Sequence, residues 1–197
     1  MPLSVKKSLV KCVKDLYATG LTTSVSGNHS VRFGMHHMWI TPSAMPRYNL
    51  RECDLASVDL NTGRSIGRPS MEVNMHLKIY LQRKDVNAIV HTHSPYTLAV
   101  AISGKFEQVI EEALLVVGEP AIVENRPSGS VELADLVSKA FSGNTRAVVI
   151  KNHGVVAAGK DIYQARAIVE SLEEWAKVLV FSKAFGGPQN FLRIDSH

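Results

Sequence analysis

Apolar positions recur at helical spacing over residues 4 to 19, with Leu9, Val10, Val13 and Leu16 interrupted by lysines. Ser4 precedes this run as an N-cap and Gly20 follows as a stop, so the pattern predicts an amphipathic helix. A small-residue loop, TTSVSGNHS, occupies residues 22 to 30, and short strands are expected over Val31 to Phe33 and Met38 to Thr41. DLNTGRS, residues 59 to 65, reads as the turn of a hairpin. Met71 to Arg83 is the next helix, with Val73, Leu77, Tyr80 and Leu81 along one side.

The second half alternates in the same way. Ala88, Ile89 and Val90 form an apolar strand that ends in His91 and His93, and Ser94-Pro95 then opens a helix to about Ser103 as N-cap and first-turn proline. A helix over Val131 to Phe141 precedes two apolar runs, Ala147 to Ile150 and Val155 to Ala158, separated by Asn152-His153-Gly154. A long helix from Asp161 to about Phe185 closes the regular structure, leaving a tail from about residue 187 that is free to be flexible. Interleaved helices and strands with hairpin-like neighbours predict an α/β fold whose mixed sheet is covered by helices. The 197 residues fit a single domain, 1–197.

Composition narrows the class. With 45% hydrophobic and 20% charged residues the chain is neither disordered nor fibrous. The net charge of +4 is spread along the chain and not gathered into a basic run, which argues against nucleic acid and favours a small anionic substrate. Cys12 and Cys53 have no paired spacing, so both are expected to be structural thiols in a reducing compartment. No stretch approaches the about 20 apolar residues of a membrane span, and the first residues lack a signal-peptide core. A cytoplasmic protein without a membrane or nucleic-acid partner is expected.

Alternate side chains of a strand share a face, so His91 and His93 point the same way with Cα atoms about 6.7 Å apart. That spacing suits two ligands of one zinc, and His153, in a turn that Gly154 lets bend sharply, is the best third. Three neutral imidazoles with an open fourth position describe a catalytic metal site. His29, His36, His37 and His197 are expected in surface or loop roles, and His76 in a packing or supporting role one helical turn from Glu72. Glu72 at a helix start is either a capping aid or an acid/base group facing a pocket. Ser26-Gly27-Asn28, Thr41-Pro42-Ser43-Ala44 and Ser70 are ordinary turn sequences singly, but together they offer amides and hydroxyls that hold a phosphate without a lysine.

The ordered series S-G-N, I-T-P-S, P-S-x-E, H-x-H-S and N-H-G with a following glycine resembles the class II aldolase and adducin family, in particular its L-fuculose-1-phosphate aldolase branch, from about Leu9 to Phe185. The resemblance implies a three-layer α/β/α fold with a central mixed, largely antiparallel sheet and a homotetramer with sites near subunit interfaces. It implies one zinc per chain on His91, His93 and His153, Glu72 as the catalytic acid/base, and substrate phosphate against Gly27, Asn28, Ser43 and Ser70. The implied reaction is reversible cleavage of L-fuculose 1-phosphate, or a related deoxyketose 1-phosphate, to dihydroxyacetone phosphate and an aldehyde such as lactaldehyde. Within the family the alternatives are a methylthioribulose-1-phosphate dehydratase, a sugar-phosphate epimerase, in which an aspartate is expected at the Glu72 position, and a non-enzymatic adducin-like scaffold, expected to lack the three histidines. Three positions depart from the aldolase pattern: Met71 replaces a second serine, Ala44 replaces a glycine, and the tyrosine expected around Val109 to Leu114 is missing.

Overall fold

The computed structural model describes residues 4–104 and 106–192. Eight strands form one sheet: β1 Asn28–Phe33, β2 His37–Ile40, β3 Ala56–Asp59, β4 Ser65–Ile66, β5 Ala88–Thr92, β6 Ala121–Val123, β7 Ala147–Ile150 and β8 Gly154–Gly159. Their order is β4-β3-β2-β1-β5-β8-β7-β6, antiparallel at every pairing except the parallel contact of β6 with β7. The helices are α1 Val5–Ala18, α2 Val73–Gln82, α3 Pro95–Ser103, α4 Glu111–Val117, α5 Val131–Ala140 and α6 Ile162–Ser182. The expected α/β/α arrangement with a mixed, largely antiparallel sheet is what the chain adopts.

The layers follow from strand alternation. Ala88 and Val90 of β5, Val149 of β7 and Val155 and Ala157 of β8 join the core formed with α1, α3, α4 and α6, including Leu9, Val100, Leu114, Ile168 and Trp175. Their neighbours Ile89, Val148, Ile150, Val156 and Ala158 face the opposite way, into a core with Met75 and Ile79 of α2 and Leu133 and Val137 of α5. The central strands are buried on both faces, which is why they read as continuous apolar runs and not as alternating ones.

Local signals behave as expected at both ends of α1, where Ser4 Oγ accepts from Lys7 N at 3.2 Å and Gly20 takes φ 77°. In the hairpin turn of β3 and β4, Asp59 Oδ1 accepts from the amides of Asn61 and Thr62 at 2.9 and 2.8 Å.

Several expectations are corrected. β1 begins at Asn28 and not Val31, so His29 is no loop residue: it is wholly buried inside the sheet. α2 begins at Val73, leaving Met71 and Glu72 in the turn before it, and α6 ends at Ser182, after which Lys183–Phe185 form a 3₁₀ turn. α4 and β6 were not anticipated, the one being seven residues long and the other a three-residue, half-buried edge strand. Cys12 is buried but Cys53 is exposed. His36 and His37 are exposed as expected, whereas His197 lies outside the described residues. Of the tail, Leu192 N donates to Gln108 O at 2.8 Å.

Candidate metal centre and anion cleft

Because Ile89 faces the α2 side of the sheet, the period of two puts His91 on that side as well. His91 lies opposite Asn28 on β1 and Val156 on β8, at the centre of the sheet. His153 enters from the turn between β7 and β8, where Asn152, at φ 58°, is the residue that takes the left-handed conformation. Gly154 has a different role from the one expected. It is needed for space and not for bending: a Cβ there would stand 2.3 Å from the Thr92 carbonyl oxygen and 2.9 Å from His91 Cε1.

The three histidines offer one nitrogen each within 4.8 Å of one another. His91 Nε2 and His93 Nε2 are 3.3 Å apart, matching the separation of about 3.3 Å between two ligands at about 2.05 Å in a tetrahedral zinc shell. His91 Nδ1 donates to the Val155 carbonyl at 3.0 Å, which directs the Nε2 lone pair to the shared point. His153 Nδ1 is buried without a hydrogen-bond partner. Burial is the first cause that disfavours protonation at all three rings; it lowers His93 to about 4 and His91 well below the usual histidine value, aided by the neighbouring imidazoles. Neutral imidazoles whose nitrogens converge at ligand spacing fit a divalent transition metal.

This trio forms one wall of a cleft of about 390 Å³. Gly27, Asn28, Ser43 and Ser70 line it, so the three loop segments do converge. Pro42 and Pro69 form an isolated β-bridge, Ser70 N donates to Thr41 O at 3.0 Å, and Ser43 Oγ donates to Pro69 O at 3.1 Å, which ties the second loop to the third. Ala44 takes φ 55°, so the conformation expected of a glycine is kept by an alanine. Met71 is exposed.

Glu72 also lines the cleft, yet it is only 3% exposed. Its side chain makes no capping bond to α2; the carboxylate accepts instead from Gly129 N at 3.0 Å. Burial raises its pKa, opposed by that amide hydrogen bond. A carboxyl so placed can deliver or remove a proton beside a metal-held substrate.

Arg47 is the main residue that sequence reasoning missed. It is 2% exposed and lines the cleft, and its guanidinium donates to the carbonyls of Val25, Ser26 and Gly27 in the first loop and of Pro42 in the second. Burial lowers its pKa to about 10, still far above neutrality, so it adds a positive charge behind the first two loops of the cleft. Nothing in the local sequence announces it, since its partners lie up to 22 residues away.

Residues 7–180 match the family described as class II aldolase and adducin N-terminal domain. An L-fuculose phosphate aldolase of Methanococcus maripaludis (strain C7) is 42% identical over 87% of this chain and 93% of its own length. A 5-deoxy-D-ribulose 1-phosphate aldolase of Bacillus thuringiensis serovar kurstaki is 32% identical over 93% of this chain and 88% of its own length. A solved L-fuculose 1-phosphate aldolase superposes with a TM-score of 0.87 at 34% identity, covering 98% of this chain and 92% of that one. The chain therefore belongs to the class II aldolase and adducin family, as a lyase of the metal-dependent class II aldolase type.

Proposed function

We propose that the protein is a zinc-dependent aldolase that cleaves L-fuculose 1-phosphate or a related deoxyketose 1-phosphate, reversibly, to dihydroxyacetone phosphate and an aldehyde such as lactaldehyde. The observation that carries this reading is a buried carboxyl, Glu72, opening into the same cleft as three convergent imidazoles. His91, His93 and His153 would hold the metal, one per chain. When bound, zinc supplies Lewis-acid polarisation of the substrate ketone.

The chain's own residues supply the rest. Amides and side chains at Gly27, Asn28, Ser43 and Ser70 hold the phosphate, with the Arg47 charge behind the first two loops. Cleavage breaks the bond between C3 and C4: C4 leaves as the aldehyde, its hydroxyl proton passes to solvent in the cleft, and the electron pair stays on C3. Glu72 then protonates C3, completing dihydroxyacetone phosphate, and in condensation it takes that proton back. Gly129 N, bonded to one carboxylate oxygen, holds the group in place without neutralising it. A homotetramer is the assembly expected for such an enzyme.

Zinc-loaded protein given L-fuculose 1-phosphate or 5-deoxyribulose 1-phosphate should release dihydroxyacetone phosphate, read by a coupled reduction. Glu72→Gln should retain about one zinc per chain while kcat falls about 10²- to 10⁴-fold. Zinc-loaded wild type that releases water from a sugar phosphate but no dihydroxyacetone phosphate would replace the aldolase reading with a dehydratase.

A further inference from the structure

His76 and Tyr80, one helical turn apart on α2, meet Asn28 and Ser30, which are two residues apart on β1 and so share a face of the sheet. The four residues form a chain of three hydrogen bonds. His76 Nε2 is 2.7 Å from Asn28 Oδ1, His76 Nδ1 is 2.6 Å from Ser30 Oγ, and Ser30 Oγ is 2.9 Å from Tyr80 Oη. His76, Ser30 and Tyr80 are wholly buried and Asn28 is nearly so. Burial lowers the His76 pKa to about 3, so the ring is neutral, with one N–H and one lone pair.

A neutral ring allows two directions for this chain, and they are not equivalent. If Nδ1 carried the hydrogen, it would donate to Ser30, Ser30 would donate to Tyr80, and Asn28 would spend its amide hydrogens on Nε2. The Tyr80 hydroxyl hydrogen would then have no acceptor, because Ser30 is its single partner among the described residues and the nearby Arg32 guanidinium has only hydrogens to offer. A buried donor left unpaired makes this the costlier arrangement. In the other direction Tyr80 donates to Ser30, Ser30 donates to Nδ1, and Nε2–H donates to the Asn28 oxygen. Every hydrogen is placed, and the Asn28 NH₂ is left facing the cleft that Asn28 lines.

We propose that His76 is a positioning residue: as the Nε2–H tautomer it holds the Asn28 carboxamide oxygen and so aims the amide hydrogens into the cleft, as donors to the anionic group of the sugar phosphate. The proposal rests on the reading of the cleft as a sugar-phosphate site. It also explains why Asn28, and not aspartate, suits the position, since a carboxylate would turn an acceptor toward the anion.

The test begins with ¹⁵N-histidine-labelled, zinc-loaded wild type, in which long-range proton correlations should show the His76 hydrogen on Nε2. Inorganic phosphate is the binding probe. His76→Leu should weaken phosphate binding about tenfold and raise KM for the ketose phosphate by a similar factor, with kcat within about threefold. His76→Gln, whose amide N–H can still reach Asn28, should restore both to within about threefold. A hydrogen on Nδ1, unchanged phosphate binding in His76→Leu, or a Gln variant as weak as the Leu variant would each overturn the proposal. A wild type that binds phosphate and shows the Nε2–H tautomer, but cleaves no ketose phosphate, would support this inference while removing the aldolase reading.

Discussion

Gly154 shows how much of the candidate centre depends on one missing methyl. His91 and His93 come from one strand and His153 from the next turn, and they converge because the β7–β8 turn backs directly onto the Thr92 carbonyl. A Gly154→Ala side chain has no rotamer with which to escape that contact, so the turn must retreat and take His153 with it. The expected outcome is a loss of zinc affinity of about 10- to 100-fold, measured by competition with a chromophoric chelator. Unchanged affinity would mean that the turn yields without moving the ligand. Asn152 and Ala44, both at positive φ without being glycine, mark where the backbone is held by its surroundings.

Between elements, the join of β5 to α3 differs from what Ser94-Pro95 suggests. Proline does take the first helical position, but Ser94 makes no capping bond to the helix; its hydroxyl pairs with Thr92 Oγ1 at 2.7 Å. The cap comes from α6, whose Glu173 carboxylate accepts from Tyr96 N, Thr97 N and Thr97 Oγ1 at 3.0, 2.8 and 2.7 Å. A carboxylate at a helix N-terminus satisfies amides that have no other partner and complements the dipole. Glu173→Ala should therefore destabilise the protein by about 1–3 kcal/mol, seen as a fall in thermal midpoint of about 2–4 °C per kcal/mol. An unchanged midpoint would assign the amides to solvent. Because α3 starts just after His93, the same variant should also bind zinc more weakly.

Across the molecule, two wholly buried histidines outside the trio couple folding to pH. Burial lowers His76 to about 3 and His29 well below the ordinary value near 6.5, with Arg47 and other rings adding to the effect at His29. The unfolded chain protonates these rings below about pH 6.5 while the native chain does not, so the unfolded state binds more protons and stability is lost as pH falls. Each ring contributes a slope of up to about 1.4 kcal/mol per pH unit. Urea midpoints of chelator-treated protein should fall steadily from pH 7 to pH 5, and His76→Gln should show the shallower dependence. Equal slopes for the two proteins would show that His76 binds its proton alike in the native and unfolded states.

The reach of sequence reasoning depended on where partners lie along the chain. His91 and His93 were legible because one strand carries both and its period of two admits a single answer about facing. His153 was legible because it interrupts two apolar runs that can only be neighbouring strands, and α1 because its cap, stripe and stop are all local. α4 and β6 were not, since a seven-residue helix and a three-residue edge strand carry too few periods to register.

Tertiary structure decided the rest for one physical reason: burial and hydrogen-bond partners depend on which face of the sheet each helix covers. Packing of α2 on the His91 face brought Glu72 to the cleft and His76 to Asn28, 48 residues away. Packing of α6 on the other face supplied Glu173 to α3 across 76 residues. Arg47 likewise acquired its carbonyl partners only when two loops folded over it. Strand and helix periodicity orders residues within an element, but the meeting of elements is set by the summed apolar surface of the whole chain.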